Sequence, residues 1–251
     1  MQNLRVFDHV TIRVSDFGAA RSFYTLALGE PTHENESFTE WREFGIARVS
    51  PGKPPTRRLH VAFRAHDRAE VRAWFKRMTA AGYRSDGEPG ERPEYSASYY
   101  GAFVLDPDGN SAESVHHDTS DPGQALVDHL WLRTTSVAEA KRFYETVAPV
   151  VGLALKHESA ERLQFTDGVG SFSFVAGDEP TRNVHLAFGV HGRAAVDAFH
   201  AAATAAGHPD NGPPGERPVY HPGYYGGFVL DPDGHNVEAV FHDRPNYTSR
   251  P

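Results

Sequence analysis

The chain contains no cysteine in its 251 residues. Disulfide staples, thiolate metal sites and cysteine nucleophiles are therefore excluded, and the composition is compatible with a reducing compartment. No apolar run is long enough to span a bilayer, and no basic-then-apolar leader precedes the first strand-like segment. Basic residues are in deficit: 25 Lys and Arg against 33 Asp and Glu give a formal charge of −8, which argues against a phosphate-backbone binder. These absences predict a soluble, cytoplasmic protein that binds neither nucleic acid nor membrane. Apolar residues are not scarce. A hydrophobic fraction of 39% with 16 Phe suffices for the cores of two medium domains.

What is present is a repeat. Residues 215–242 read GERPVYHPGYYGGFVLDPDGHNVEAVFH, and residues 90–117 read GERPEYSASYYGAFVLDPDGNSAESVHH, with 18 of 28 positions identical at an offset of 125. Each half of the chain is one copy of a unit of about 120 residues. Aromatic and β-branched residues from Tyr224 to Leu230 read as a strand, Asp231-Pro232-Asp233-Gly234 as a tight turn, and a second strand then carries Glu238 among apolar neighbours. A carboxylate in such surroundings is costly unless it is paired or bound.

Taken in order, the segment FDHVTIRV (7–14) alternates Val10, Ile12 and Val14 against His9, Thr11 and Arg13. A helix capped at Ser15-Asp16 runs to Gly29, three short strands follow between Pro31 and Ser50, and PGKPPT (51–56) is a loop. The same order restarts with RLHVAFR (58–64), a helix capped by Asp67, a polar loop from Ser85 to Pro93, and the hairpin with Glu113. Thr119 to Ala125 is read as the linker, which places domains at 1–120 and 125–245. The second half repeats the plan through VDHLWLRT (127–134), NVHLAFGV (183–190) and a helix from about Arg193 to Ala206, and the tail after Asp243 reads as irregular. The expectation is an α+β protein of four tandem βαβββ units.

Three positions per half carry chemistry: His9, His60 and Glu113, then His129, His185 and Glu238. Each His lies on the strand face opposite the aliphatic residues. Two clusters of two imidazoles and one carboxylate would leave coordination positions open, which suits Fe(II) in oxygen chemistry, or Mn, Ni, Co or Zn as a Lewis acid. The units can pair within a half, joining His9 to His60 and Glu113, or across halves, joining His9 to His185 and Glu238 and His129 to His60 and Glu113.

The paired units, the strand-opening DHV and LHV histidines and the hairpin LDPDGxxxE resemble the vicinal oxygen chelate superfamily over nearly the whole chain, twice. That superfamily includes glyoxalase I, fosfomycin-resistance enzymes, bleomycin-binding proteins and type I extradiol dioxygenases. The resemblance implies two cup-shaped mixed-sheet barrels with helices outside, each holding a divalent metal that chelates a small substrate through adjacent oxygens. Fe(II) is the favoured metal, and a homodimer is left open. It places the metal ligands at His9, His60, Glu113, His129, His185 and Glu238. Two features depart from the extradiol pattern: Phe103 and Phe228 stand where that pattern has Tyr, and its upstream His is matched by His221 in the second half but Ser96 in the first. A fourth, glyoxalase-type carboxylate is sought among Glu40, Glu43 and Glu161.

Further candidates flank the hairpins. Tyr99, Tyr100, Tyr224 and Tyr225 are placed to hydrogen-bond a bound oxygen, with Tyr100 and Tyr225 as catalytic groups beside His221 and His242. Arg92 and Arg217 in the repeated GERP loop could clamp a substrate carboxylate, against the plainer reading of surface ion pairs. His117 and His242 lie four residues beyond the Glu and suit support or proton transfer. Trp131, with Trp41, could stack on a flat ligand. The expected activity is an extradiol-type Fe(II) dioxygenase. The alternatives are a glyoxalase- or fosfomycin-resistance-type isomerase, lyase or transferase, and a drug-sequestering protein.

Overall fold

The computed structural model describes residues 6–123 and 125–243. The tail beyond Asp243 lies outside the described residues. Four βαβββ modules follow one another. The first is β1 (His9–Val14), α1 (Phe17–Leu28), β2 (His33–Glu34), β3 (Phe38–Trp41) and β4 (Phe44–Arg48). The second is β5 (His60–Arg64), α2 (Arg68–Ala80), β6 (Ser85–Glu91), β7 (Tyr100–Leu105) and β8 (Ser111–His116). The third is β9 (Val127–Thr134), α3 (Val137–Val151), β10 (Ala154–Glu158), β11 (Arg162–Thr166) and β12 (Ser171–Ala176). The fourth is β13 (His185–Gly189), α4 (Arg193–Ala205), β14 (Asp210–Glu216), β15 (Tyr224–Leu230) and β16 (Asn236–His242).

Three of the four described helices start where the sequence supplies a side-chain acceptor, and α4 starts at Gly192 without one. Asp16, Asp67 and Ser136 accept from the N–H groups of Ala19, Glu70 and Glu139, satisfying donors that a helix start leaves unpaired. Gly152 ends α3 in the left-handed region at φ 74°, which a Cβ would disfavour. Each helix buries one apolar face, such as Phe23 and Tyr24 of α1 or Phe143 and Tyr144 of α3.

Two eight-stranded mixed sheets result, with strand orders β14-β15-β16-β13-β1-β4-β3-β2 and β10-β11-β12-β9-β5-β8-β7-β6. Both are open, cup-like sheets with edge strands rather than closed barrels. The first module is therefore paired with the fourth and the second with the third, which is the cross-half arrangement. His9, Val10 and Thr11 face Ala187, Leu186 and His185 in register, while His60, Val61 and Ala62 face Trp131, Leu130 and His129. The chain divides into two compact units: residues 12–132, and the residues up to Thr11 together with Arg133 onward.

One expectation fails. The stretch from Ser85 is not a loop but the edge strand β6, antiparallel to β7 with register shifts at Gly87 and Gly90. An edge strand tolerates Pro89 because its outer N–H needs no ladder partner, and the bulges absorb the glycines. Composition therefore hid the strand.

The repeated turn anchors each hairpin to a helix. Tyr24 donates to Asp106 Oδ2 at 2.9 Å, and Tyr144 donates to Asp231 Oδ2 at 3.1 Å. The other carboxylate oxygen of Asp106 caps the turn through the N–H groups of Asp108 and Asn110. Burial raises the pKa of both acids. They fix the strands β8 and β16 that carry the two glutamates.

Candidate metal centres

The described residues contain two groups of side chains able to hold a metal ion: His9 with His185 and Glu238, and His60 with Glu113 and His129. Within each group the ligand atoms lie within 4.8 Å of one another. The six residues singled out in the sequence are thus gathered in threes, each three within one compact unit.

In the first centre, His9 Nε2 is 2.9 Å from His185 Nε2, and Glu238 Oε2 is 3.1 Å from His185 Nε2 and 3.7 Å from His9 Nε2. In the second, His60 Nε2 is 3.2 Å from His129 Nε2 and 3.0 Å from Glu113 Oε2, which is 3.6 Å from His129 Nε2. The imidazoles are oriented from behind. His9 Nδ1 donates to Asp8 Oδ1 at 2.9 Å, and His129 Nδ1 donates to Asp128 Oδ1 at 2.8 Å. His185 Nδ1 is 3.1 Å from the carbonyl oxygen of Asn236. A carboxylate can only accept, so the proton sits on Nδ1 and the Nε2 lone pair points into the centre. Two facing lone pairs at such distances repel unless a cation or a proton lies between them.

The carboxylates are prepared in the same way. Tyr99 donates to Glu113 Oε1 and Tyr224 to Glu238 Oε1, both at 2.7 Å, which leaves Oε2 for the centre. Burial, with the adjacent Glu charge, raises both phenol pKa values, so the hydroxyls stay protonated donors. Glu238 Oε2 is buried and has no hydrogen-bond partner. A Cβ at Gly101 or Gly226 would overlap Oε1 of Glu113 or Glu238, so only glycine leaves room for each carboxylate. His9 and His129 each have a carboxylate behind Nδ1, as metal-bound histidines commonly do, while His185 Nδ1 also meets the Asn236 side-chain Nδ2 at 2.9 Å. This donor set fits a divalent cation.

The aspartates extend the network outward. Asp8 Oδ2 accepts from His242 Nε2 at 2.9 Å, and His242 Nδ1 is 2.8 Å from His221 Nε2. In the other centre Asp128 Oδ2 accepts from His117 Nε2 at 2.9 Å, but His117 Nδ1 meets Thr119 Oγ1 at 2.9 Å instead of a second imidazole. Burial would raise the Asp8 and Asp128 carboxyls, but hydrogen bonds from His242 and His9, and from His117 and His129, outweigh it and hold both well below the usual range. His185 is shifted down by burial against the raising effect of Glu238, favouring the neutral ligand form.

Other expected residues lie elsewhere. Tyr225 donates to Asp197 of α4 at 2.8 Å, and Tyr100 lies beneath Arg68 and Arg72 of α2, so both face helices and neither reaches a centre. Arg92 and Arg217 cap nearby carbonyls and stack over Phe103 and Phe228, whose rings lie 5.8 Å from His60 and 6.2 Å from His185. Trp131 stands 6.1 Å from His60, whereas Trp41 is buried and donates to Gly29 O. Glu43 accepts the N–H groups of Leu126 and Val127, and neither Glu40 nor Glu161 joins a centre among the described residues. Asp8 and Asp128 were missed as supports, although the repeated Asp-His dipeptide was a readable signal. Gly101 and Gly226 were signalled by the repeated Tyr-Tyr-Gly.

The sequence matches the model of the Glyoxalase/Bleomycin resistance protein/Dioxygenase superfamily over residues 6–113 and 126–239. The chain belongs to that superfamily. No curated protein sequence shows significant similarity to it. Among solved structures it resembles glyoxalase I from Zea mays, with a TM-score of 0.67 and 19% identity over 95% of this chain and 92% of that one. It also resembles a Bacillus subtilis protein provisionally assigned as a dioxygenase, with a TM-score of 0.65 and 11% identity over 97% and 87%. At these identities the likeness is one of fold. No helix among the described residues is long and apolar enough to cross a membrane.

Proposed function

We propose that the protein is a cytoplasmic metalloenzyme with two divalent-metal centres, each binding a small substrate through two adjacent oxygens, and that its reaction is dioxygenation of extradiol type with Fe(II). The observation that carries this reading is the two-histidine, one-carboxylate set with prepared lone pairs, present twice. Three protein ligands leave positions for a bidentate substrate and a co-substrate, the pattern of non-haem Fe(II) oxygenases. When bound, the ion supplies Lewis acidity that lowers the pKa of a chelated hydroxyl. The chain's residues do the rest. His9, His185 and Glu238, and His60, His129 and Glu113, hold the ion. Asp8 and Asp128 keep His9 and His129 in the ligating tautomer, and Tyr99 and Tyr224 keep each glutamate turned one way. Phe103 and Phe228 wall the centres against water. Arg92 and Arg217, stacked on those rings, offer cations to an acidic substrate group.

A second reading, an isomerase or lyase of glyoxalase type, is favoured by the His242–His221 pair behind Asp8, since such chemistry needs groups that accept and return protons. Elemental analysis after anaerobic purification should find two divalent ions per chain, falling to one in Glu238→Ala or Glu113→Ala. Oxygen uptake with a panel of catechols should then depend on Fe(II). Metal without oxygen uptake would leave the second reading, and absence of bound metal after reconstitution would overturn both.

A further inference from the structure

Among the differences between the two centres, one lies on the strands that open them. In the segments 8–14 and 128–134, Asp-His-Val-Thr aligns with Asp-His-Leu-Trp, so Thr11 of one stands where the other has Trp131. Each residue sits directly across from a ligand histidine on the neighbouring strand, Thr11 from His185 and Trp131 from His60. The Trp131 ring is 6.1 Å from His60 and 6.4 Å from His129, and it meets Tyr95 edge-on at 5.8 Å. Tyr95 is 48% exposed and packs at 5.0 Å on Tyr99, the tyrosine that holds Glu113. One centre is therefore bordered by an indole and a phenol ring at right angles. At the other, Tyr220 keeps the place of Tyr95 against Tyr224, but Thr11 offers no aromatic surface.

We propose that the two centres select different ligands, with Trp131 reserving the His60–Glu113–His129 centre for flat aromatic molecules while the Thr11 centre has no such preference. This rests on the chelating function proposed above. Aromatic pairs prefer offset or edge-to-face geometry and add about 0.5–1.5 kcal/mol beyond area burial, up to about tenfold in affinity. A planar ligand held by the ion next to His60 gains that contact. The same ligand next to His185 does not.

The test uses full-length Glu238→Ala, which retains the Trp131 centre, and full-length Glu113→Ala, which retains the Thr11 centre, each loaded with Zn(II) so that no probe is oxidised. The probes are 4-nitrocatechol, a flat vicinal diol, and acetohydroxamate, an aliphatic chelator with adjacent oxygens. The ratio of their affinities should favour nitrocatechol about two- to tenfold more strongly at the Trp131 centre. Adding Trp131→Thr should abolish the difference, and Trp131→Phe should keep most of it. Equal ratios at the two centres, or a ratio unmoved by Trp131→Thr, overturns the division while leaving the chelating reading intact. If neither probe needs zinc to bind, both fall together.

Discussion

Asp8→Asn removes one charge and almost no volume, and it separates the support of one centre from that of the other. Asp8 accepts from His9 Nδ1 and His242 Nε2, each at 2.9 Å. Hydrogen bonds to a charged group contribute about 1.5–3 kcal/mol against about 0.5–1.5 kcal/mol for neutral pairs. Asparagine keeps one accepting oxygen and turns an N–H₂ group toward the other imidazole, so one bond is weakened and one must reverse. Losing such a partner behind a ligating histidine typically costs about 10–100-fold in metal affinity, or about 1.4–2.7 kcal/mol. Competition against a chromophoric chelator should show one of two zinc equivalents weakened by that factor. Asp128→Asn should weaken the other. The acid limb should change as well. The Asp8 carboxyl is held below its ordinary value, so its stabilisation is present above about pH 4 and is lost as pH falls through the native value. Asp8→Asn should flatten that part of the denaturation profile. Weakening of both equivalents, or of neither, would refute the assignment of Asp8 to one centre.

Other outcomes can be checked alongside. Gly226→Ala drives a methyl into Glu238 Oε1, so elemental analysis should find one metal per chain instead of two. Tyr24→Phe takes the phenol from buried Asp106, and urea denaturation should show a loss of about 1.5–3 kcal/mol with metal content unchanged. Saturating the metal-free protein with Zn(II) at about 1,000 times Kd should stabilise it by about 4 kcal/mol per site in the same assay.

The four modules were legible because their apolar positions alternate along strands and recur at helical spacing, and because the hairpin appears twice. The six grouped His and Glu positions stood out for a related reason: a His opposite the packed face, at matching places in both copies, is hard to attribute to packing. Module pairing was not legible. The ligand pattern is the same whether His9 meets His60 or His185, and only hydrogen bonding between β1 and β13 decides it. The edge strand β6 was missed because Gly87 and Pro89 look like loop when a bulged edge accommodates them. Tyr100 and Tyr225 were misplaced because a Tyr-Tyr pair on a strand sends its members to opposite faces, and sequence does not say which is which.

Pairing the first module with the fourth has a genetic corollary. Residues 1–120 alone supply His9 but neither His185 nor Glu238, and residues 125–245 supply that pair without its third member. A half-gene therefore encodes no complete centre of the observed kind, and its product must recruit another half-chain to assemble one. In one chain both halves are present for both groups, and the places of Thr11 and Trp131 can differ without breaking either group of three.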